Sequence, residues 1–295
     1  MNHPNFQQHF ALGVLARLVA ISVTCFLIST ACSALCPTPT PVPTPTPLPT
    51  ATIQPHPTST PDPPDTGWQP LSPGIEWRRL KIQTEGGGPE QLRLVRLTPD
   101  HIRLHVVYQP SHPRRISEWA TALPHALLIV NAGYFTPQMQ TAGLIISDGR
   151  AFGSSYGDFA GMLAVTPQGE VTLRWLKTWP YRPDEALAQA VQSFPVLVKP
   201  GRVMGFPADA DQGQRARRTV IAQDTTGRLI LLVSPNPRFS LHELAVWLTG
   251  SDLELDIALN LDGGTSTGLW VRGHDEQIDS WVPVPAVIVV EPAKN

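Results

Sequence analysis

The chain has 295 residues and a formal net charge of -2, and only 16% of its residues are charged. Such a balance offers no basic surface to neutralise a phosphate polymer, so nucleic-acid binding is not expected. The three cysteines, Cys25, Cys32 and Cys36, all lie near the N-terminus. The rest of the chain therefore has no thiolate nucleophile, zinc ribbon or structural disulfide.

The first 31 residues are predicted to be a signal peptide. Residues 18–31 are uncharged and apolar, follow Arg17, and form too short a run to span a bilayer. Residues 29–32, Ser-Thr-Ala-Cys, resemble a bacterial lipoprotein signal, in which Cys32 becomes the lipid anchor. Cleavage after Ala31 or Ala34 by an ordinary signal peptidase is the alternative. We expect a bacterial, extracytoplasmic protein that is anchored on the cell membrane or secreted.

Residues 32–67 are predicted to form a tether. Between residues 37 and 64 the chain holds 12 prolines and 8 threonines, with Asp62 as its one formally charged residue. This composition cannot bury apolar surface and favours an extended polyproline-like spacer.

Residues 68–295 are expected to form one strand-rich domain. Alternating or short apolar runs bounded by Gly, Pro, Asp or Asn recur along them, which is the pattern of strands. Turn sequences at 167–169 and 225–227 predict hairpins, and therefore antiparallel pairing. The predicted strands cover 74–84, 91–97, 102–108, 126–131, 143–147, 162–166, 171–176, 228–234, 257–261 and 286–290.

About three helices are predicted among the strands. One covers residues 241–249, where Ser240 and Glu243 fit a capping box. A second covers Pro183–Phe194, with proline and two acids in its first turn and apolar residues along one side. The third is short and begins at Ser117. Strands and helices do not alternate as in a doubly wound fold, so the expected class is α+β with a mixed or antiparallel sheet.

Two stretches, 153–157 and 264–268, match the G-x-S-x-G pattern of a nucleophile elbow. Neither has the strand before it and the helix after it that such an elbow requires. Ser155 with Asp252 and His274 has a permitted order, so a serine esterase remains a lesser alternative. The histidines after the tether lack the spacing of a zinc hydrolase.

Three short blocks place a polar side chain at the end or the beginning of an apolar strand. Residues 126–130 lead into Asn131, residues 257–261 lead into Asp262, and Arg218 precedes the apolar run 220–222. Two glycines follow Asp262 and allow a ligand to approach the main chain. The blocks therefore predict a binding site, with a ligand-free Asp-Gly hairpin as the alternative for the second block.

These blocks resemble the phosphodiester glycosidase family over roughly residues 76–291. The order and spacing of that family are found in Asn131–Phe135, Phe194–Val198, Arg218-Thr219, the helix from Ser240, and Leu261–Ser266. The chain departs from the family pattern at Ala132 and Thr265, where the family carries glycine.

The resemblance implies a hydrolase that releases a sugar from a sugar-1-phosphodiester in envelope or extracellular glycans. It implies Asp262 as nucleophile or base, Arg218 as the phosphate ligand and Asn131 as a hydrogen-bond partner of the sugar. Further substrate contacts are expected from Gly133, Thr219, Gly263, Gly264 and Ser266. No cofactor is firmly implied, and a divalent cation at Asp262 stays open.

The expected partner is thus a phosphorylated glycan or a sugar-1-phosphodiester, and the membrane is contacted through the lipid anchor only. One carboxylate suffices for the reaction because a phosphate monoester leaves more readily than an alcohol. The competing hypothesis is a non-catalytic polysaccharide-binding module on the same tether.

Overall fold

The computed structural model describes residues 63–275 and 277–293. Within these ranges the helices are α1 (Ile116–Ala122) and α2 (Leu241–Gly250), beside three short 3-10 turns. The strands are β1 (Gln69–Ser72), β2 (Ile75–Thr84), β3 (Gly88–Leu97), β4 (Ile102–Tyr108), β5 (Leu128–Asn131), β6 (Ile145–Ser147), β7 (Arg150–Phe152), β8 (Gly161–Val165), β9 (Val171–Trp175), β10 (Gln189–Ser193), β11 (Val196–Lys199), β12 (Val203–Met204), β13 (Ala216–Asp224), β14 (Leu229–Phe239), β15 (Leu255–Asn260), β16 (Leu269–Val271) and β17 (Ala286–Pro292).

The strands form three sheets. An eight-stranded sheet has the order β1-β2-β3-β14-β13-β15-β11-β12, a five-stranded sheet the order β7-β6-β10-β8-β9, and a four-stranded sheet the order β16-β5-β17-β4. All strand pairs in these sheets are antiparallel. The strand-rich α+β class predicted from the sequence is confirmed.

One apolar core is shared by all three sheets. It includes Ile221 of the eight-stranded sheet, Val191 of the five-stranded sheet and Ile288 of the four-stranded sheet, all fully buried. The helices cover outer faces: α2 packs Leu244 onto the eight-stranded sheet, and α1 packs Trp119 onto the four-stranded sheet. Each of the three sheets therefore buries a face in the same core.

Two of the predicted helices and both predicted hairpins are confirmed. Ser240 Oγ accepts a hydrogen bond from Glu243 N at 3.2 Å, and Glu243 Oε2 accepts one from Ser240 N at 2.9 Å, so the capping box at α2 is complete. The short helix α1 begins at Ile116, one residue before the predicted start. The turns at 167–169 and 225–227 join β8 to β9 and β13 to β14.

The predicted helix over Pro183–Phe194 is wrong. Its second half is β10, an inner strand of the five-stranded sheet in which all five residues are buried. The apolar residues that suggested one side of a helix are interleaved with Gln189 and Gln192, which are buried and whose amides are bonded inside the protein. Gln189 Nε2, for example, donates to Asp148 Oδ1 at 2.8 Å. A strand with both faces buried shows no alternation, so its pairing partners override the local pattern.

The predicted signal peptide, the Cys32 anchor and most of the tether lie outside the described residues. The last residues assigned to the tether contact β2: Lys81 N donates to Pro64 O at 2.6 Å, and Arg78 forms an ion pair with Asp65 at 2.7 Å. In the part of the chain that the structure describes, neither helix has the length and apolarity needed to cross a membrane.

Candidate active site

The three blocks singled out in the sequence meet at one point of the fold. Asp262 N donates to Ala132 O at 3.1 Å, which joins the end of β15 to the residue after β5. Leu261 N donates to Thr219 O at 2.9 Å, which joins the same end to the beginning of β13. Strand ends from two different sheets therefore converge on Asp262.

Asp262 and Arg218 lie on adjoining segments. The β13–β15 pairing reaches Val220 and Asn260, and the bond from Leu261 N to Thr219 O extends it to the residue before Asp262 and the residue after Arg218. A Cβ added to Gly263 would lie 3.9 Å from Arg218 Cδ, so the arginine side chain runs along the loop that follows Asp262.

The Asp262 carboxyl is mostly buried, and two donors among the described residues bond to it. Gly263 N donates to its Oδ1 at 2.9 Å, and the Ser266 hydroxyl is also bonded to the carboxyl group. Burial raises the pKa of Asp262 to about 6, and the two hydrogen bonds oppose this rise only in part. A carboxyl with this pKa is ionised at neutral pH and still accepts a proton readily, as a nucleophile or general base must.

Arg218 is only 9% exposed. Its Nε donates to Phe239 O at 3.2 Å, and its Nη2 donates to Gln214 O at 2.7 Å. Burial lowers the pKa of Arg218, and interactions with Tyr134 and Asp211 oppose that change, so the group stays cationic. A buried cation fixed by carbonyl oxygens is suited to bind an anion.

The Asn131 side chain fixes the Asp262 loop through hydrogen bonds. It is 1% exposed, and its Nδ2 donates to Asp262 O at 2.7 Å. Its Oδ1 accepts from Thr219 Oγ1 at 2.8 Å and from Gly268 N at 3.1 Å. Because these protein groups occupy its amide, Asn131 positions the backbone of Asp262, and the buried Thr219 belongs to the same network.

The glycines predicted to bind substrate are required for different reasons. A Cβ on Gly133 would lie 2.8 Å from Gln192 O, and a Cβ on Gly263 would lie 2.8 Å from Arg217 O. Both positions are therefore set by close backbone packing. Gly264 has a φ of 60°, in the left-handed region, with open space where a Cβ would stand. Of the three, Gly264 leaves room for a ligand.

Gly263→Ala is expected to lower the free energy of unfolding by about 1–3 kcal/mol, because its Cβ would press on the backbone of Arg217. The shift of the loop should also reduce activity, since Asp262 precedes it directly. Gly250→Ala, at the end of α2 with open space around it, is the matched control and should stabilise slightly. Thermal unfolding of both variants tests this; equal stability of the Gly263 variant and the parent would contradict the packing argument.

A family comparison decides what kind of protein carries this site. Residues 125–291 match the family model of the phosphodiester glycosidases. The chain belongs to this family. The match contains all three strand-end blocks, and it begins before β5 and ends within β17.

The solved structures that share the fold of this chain include the two that follow. One is the zebrafish N-acetylglucosamine-1-phosphodiester alpha-N-acetylglucosaminidase catalytic domain, auto-inhibited by its pro-peptide, with 19% identity and a TM-score of 0.59 over 75% of this chain and 84% of that chain. The other is a hypothetical protein from Synechocystis, with 18% identity and a TM-score of 0.52 over 75% of this chain and 63% of that chain. At these identities the likeness concerns the fold. None of the curated proteins searched matches the chain.

Two further tyrosines, Tyr134 and Tyr156, lie within electrostatic reach of Asp262. Burial raises the pKa of Tyr134 and that of Tyr156, and the nearby Asp262 charge raises both further. Tyr134 stands two residues after Ala132 in the first block, so its place in the sequence was a usable signal. Tyr156 comes from the segment 153–157, far away in sequence, and only the fold brings it to the site.

The side chains proposed for a serine esterase have other partners. Ser155 Oγ accepts a hydrogen bond from Gln192 Nε2 at 2.9 Å. Asp252 forms an ion pair with Arg78 at 2.8 Å, and the His274 ring packs against a tryptophan. A catalytic triad needs serine bonded to histidine and histidine bonded to aspartate, and these contacts do not build one.

The described residues contain no group of three His, Cys, Asp or Glu side chains placed to hold a metal ion. A divalent cation at Asp262, which the sequence left open, would have this one carboxylate as its acidic protein ligand.

Proposed function

We propose that this phosphodiester glycosidase is an exported protein, tethered to the membrane by a lipid on Cys32, and that it hydrolyses a sugar-1-phosphodiester in envelope or extracellular glycans. The family membership supports the reaction class. The apolar run 18–31 and the Pro/Thr-rich segment that follows it support export and tethering.

In this reaction water supplies the hydroxyl group of the released sugar. The bond between the anomeric carbon and the bridging oxygen breaks, and its electron pair stays on the oxygen of the departing phosphate monoester. Asp262 either attacks the anomeric carbon or removes a proton from the attacking water, and both roles need its ionised form. Arg218 holds the phosphate and stabilises the charge that develops on it.

The convergence of the Asp262 and Arg218 segments is the observation that carries this proposal. Among the described residues no ion pair joins these two side chains: the buried guanidinium donates to two carbonyl oxygens, and burial raises the pKa of the Asp262 carboxyl. A stability-driven arrangement would pair such buried charges directly. A buried cation held by carbonyl oxygens near the nucleophile or base fits a substrate that brings its own negative charge.

The proposal is tested with the purified protein and a panel of sugar-1-phosphodiesters that differ in sugar and aglycone. Product release is measured beside isothermal titration of the same compounds. We expect hydrolysis of at least one member. A polysaccharide-binding module would give heat of association with no product, and a panel that gives neither heat nor product would contradict both hypotheses.

A further inference from the structure

A row of aromatic side chains leads from the site to the surface. The ring centroids of Tyr134 and Phe194 are 4.7 Å apart, those of Phe194 and Tyr156 are 5.2 Å apart, and those of Phe194 and Phe159 are 5.6 Å apart. Phe159, at the outer end, is 55% exposed. An exposed phenylalanine beside stacked aromatic rings forms an apolar surface that water solvates poorly.

Strand order separates Phe194 from Arg218 by the strand that leads into Asp262. In the eight-stranded sheet β15 lies between β13, which carries Arg218, and β11, which follows Phe194. Asn260 at the end of β15 is bonded to the aromatic side, because its Nδ2 donates to Tyr134 Oη at 2.7 Å and to Phe194 O at 3.1 Å. Phe194, with Tyr156 and Phe159 packed on it, therefore lies across β15 from the Arg218 segment.

The Tyr156 hydroxyl has no hydrogen-bond partner among the described residues, although it is buried. The Tyr134 hydroxyl, by contrast, also donates to Phe194 O at 3.0 Å. Leaving a buried hydroxyl unpaired is destabilising, so the fold gains nothing from the Tyr156 oxygen. The Asp262 charge acts on this hydroxyl, which places it within electrostatic reach of the reacting carboxyl.

We propose that Tyr156, Phe159 and Phe194 form the subsite for the sugar ring, with the Tyr156 hydroxyl as a hydrogen-bond partner of a sugar oxygen. This assignment rests on the proposed function: with the phosphate at Arg218 and the anomeric carbon at Asp262, the ring extends toward the aromatic row. Pyranose rings carry faces of C–H groups that pack on aromatic rings, and their hydroxyls supply the missing partner. The substrate class is thus a pyranose 1-phosphodiester, and the aglycone lies on the side of Arg218 and Gln214.

The decisive experiment compares two tyrosine variants of the full chain. Tyr156→Phe loses no protein hydrogen bond, so its melting temperature should equal or exceed that of the parent, while its affinity for a pyranose 1-phosphate falls about 3- to 10-fold. Tyr134→Phe is the matched variant: it loses bonds to Asn260 and Phe194 and should melt at a lower temperature.

Phe159→Ala is the second probe, and titration with the same pyranose 1-phosphate and with inorganic phosphate separates sugar from phosphate. We expect about a 3- to 10-fold loss for the sugar phosphate and none for inorganic phosphate. Val203→Ala removes an equally exposed apolar side chain from β12 and should change neither affinity.

The outcomes distinguish this subsite from the proposed function. If both aromatic variants bind the sugar phosphate as tightly as the parent, the subsite is overturned even where hydrolysis persists. If no phosphodiester is hydrolysed but free pyranoses bind and their binding requires Phe159 and Tyr156, the subsite is supported and the proposed hydrolysis is contradicted. If the parent binds inorganic phosphate and no sugar, the subsite and the proposed hydrolysis are both contradicted.

Discussion

Asp262→Asn is expected to lower kcat/KM by at least ~100-fold and at the same time to stabilise the fold at neutral pH. The loss of activity follows from the loss of the nucleophile or base. The gain in stability follows from burial, which raises the pKa of Asp262 to about 6, above the 3.8 of a free aspartate. The folded protein therefore disfavours the ionised carboxylate, by up to about 3 kcal/mol above pH 6.

The pH dependence has a definite sign. The folded state binds the Asp262 proton more tightly than the unfolded state, so this residue's contribution to stability is greatest below pH 4 and is lost as pH rises through about 6. The stability difference between Asp262→Asn and the parent should grow over this window. In the parent, kcat/KM should rise with pH through about 6 as the carboxyl ionises, and the variant should lack that limb.

Asp224→Asn is the matched control for this prediction. Asp224 is also buried, but hydrogen bonds from Thr226 and Arg228 outweigh its burial and lower the pKa of its carboxyl. The same substitution should therefore destabilise the fold at neutral pH and leave turnover unchanged, since Asp224 lies at the opposite end of β13. An Asp262 variant with parental turnover would remove this carboxyl from the reaction.

The second large effect is expected from Arg218→Lys. Lysine keeps the positive charge but lacks the planar guanidinium fork. In the parent, Nε and Nη2 of that fork donate to Phe239 O and Gln214 O, and Nη1 is left for the ligand. Activity on a sugar-1-phosphodiester should fall roughly 10- to 100-fold, the value of one or two hydrogen bonds to a charged group. Activity on an aryl glycoside of the same sugar should change little, because that substrate carries no phosphate.

The neighbouring Arg217→Lys serves as the control for Arg218→Lys. Arg217 is also buried, donates to Pro235 O at 3.1 Å and stacks under the exposed Trp281. Its replacement should affect both substrates alike, through the fold. Equal losses on the two substrates in the Arg218 variant would mean that Arg218 positions the sugar or supports the structure, and its assignment to the phosphate would be withdrawn.

The centre of the site could be predicted because each of its three blocks is a short, continuous stretch of sequence. Asn131, Arg218 and Asp262 each stand where an apolar strand begins or ends, and strand ends that share a core converge. The role of Asn131 could not be predicted from the sequence, because a side-chain amide can hydrogen-bond either a sugar or the protein backbone. The distances to Asp262 O and Thr219 Oγ1 show that it bonds the Asp262 loop.

The aromatic side of the site could be predicted only in part. Tyr134 and Phe194 stand in blocks that resemble the family, but Phe194 is also predicted to end a helix, and the segment of Tyr156 is predicted only for Ser155. The missing information is long-range pairing: β10 lies between β6 and β8, and Tyr156 N donates to Gln192 Oε1 of β10 at 2.7 Å.

Hydrolysis of an alkyl sugar-1-phosphodiester in oxygen-18 water, followed by phosphorus NMR and mass spectrometry of the sugar, tests the central claim most directly. Attack at the anomeric carbon, with Asp262 as nucleophile or base and Arg218 on the leaving phosphate, predicts the isotope in the free sugar and an unshifted phosphate monoester resonance. The isotope in the phosphate would show that the phosphorus–oxygen bond breaks and would contradict the roles assigned to both residues.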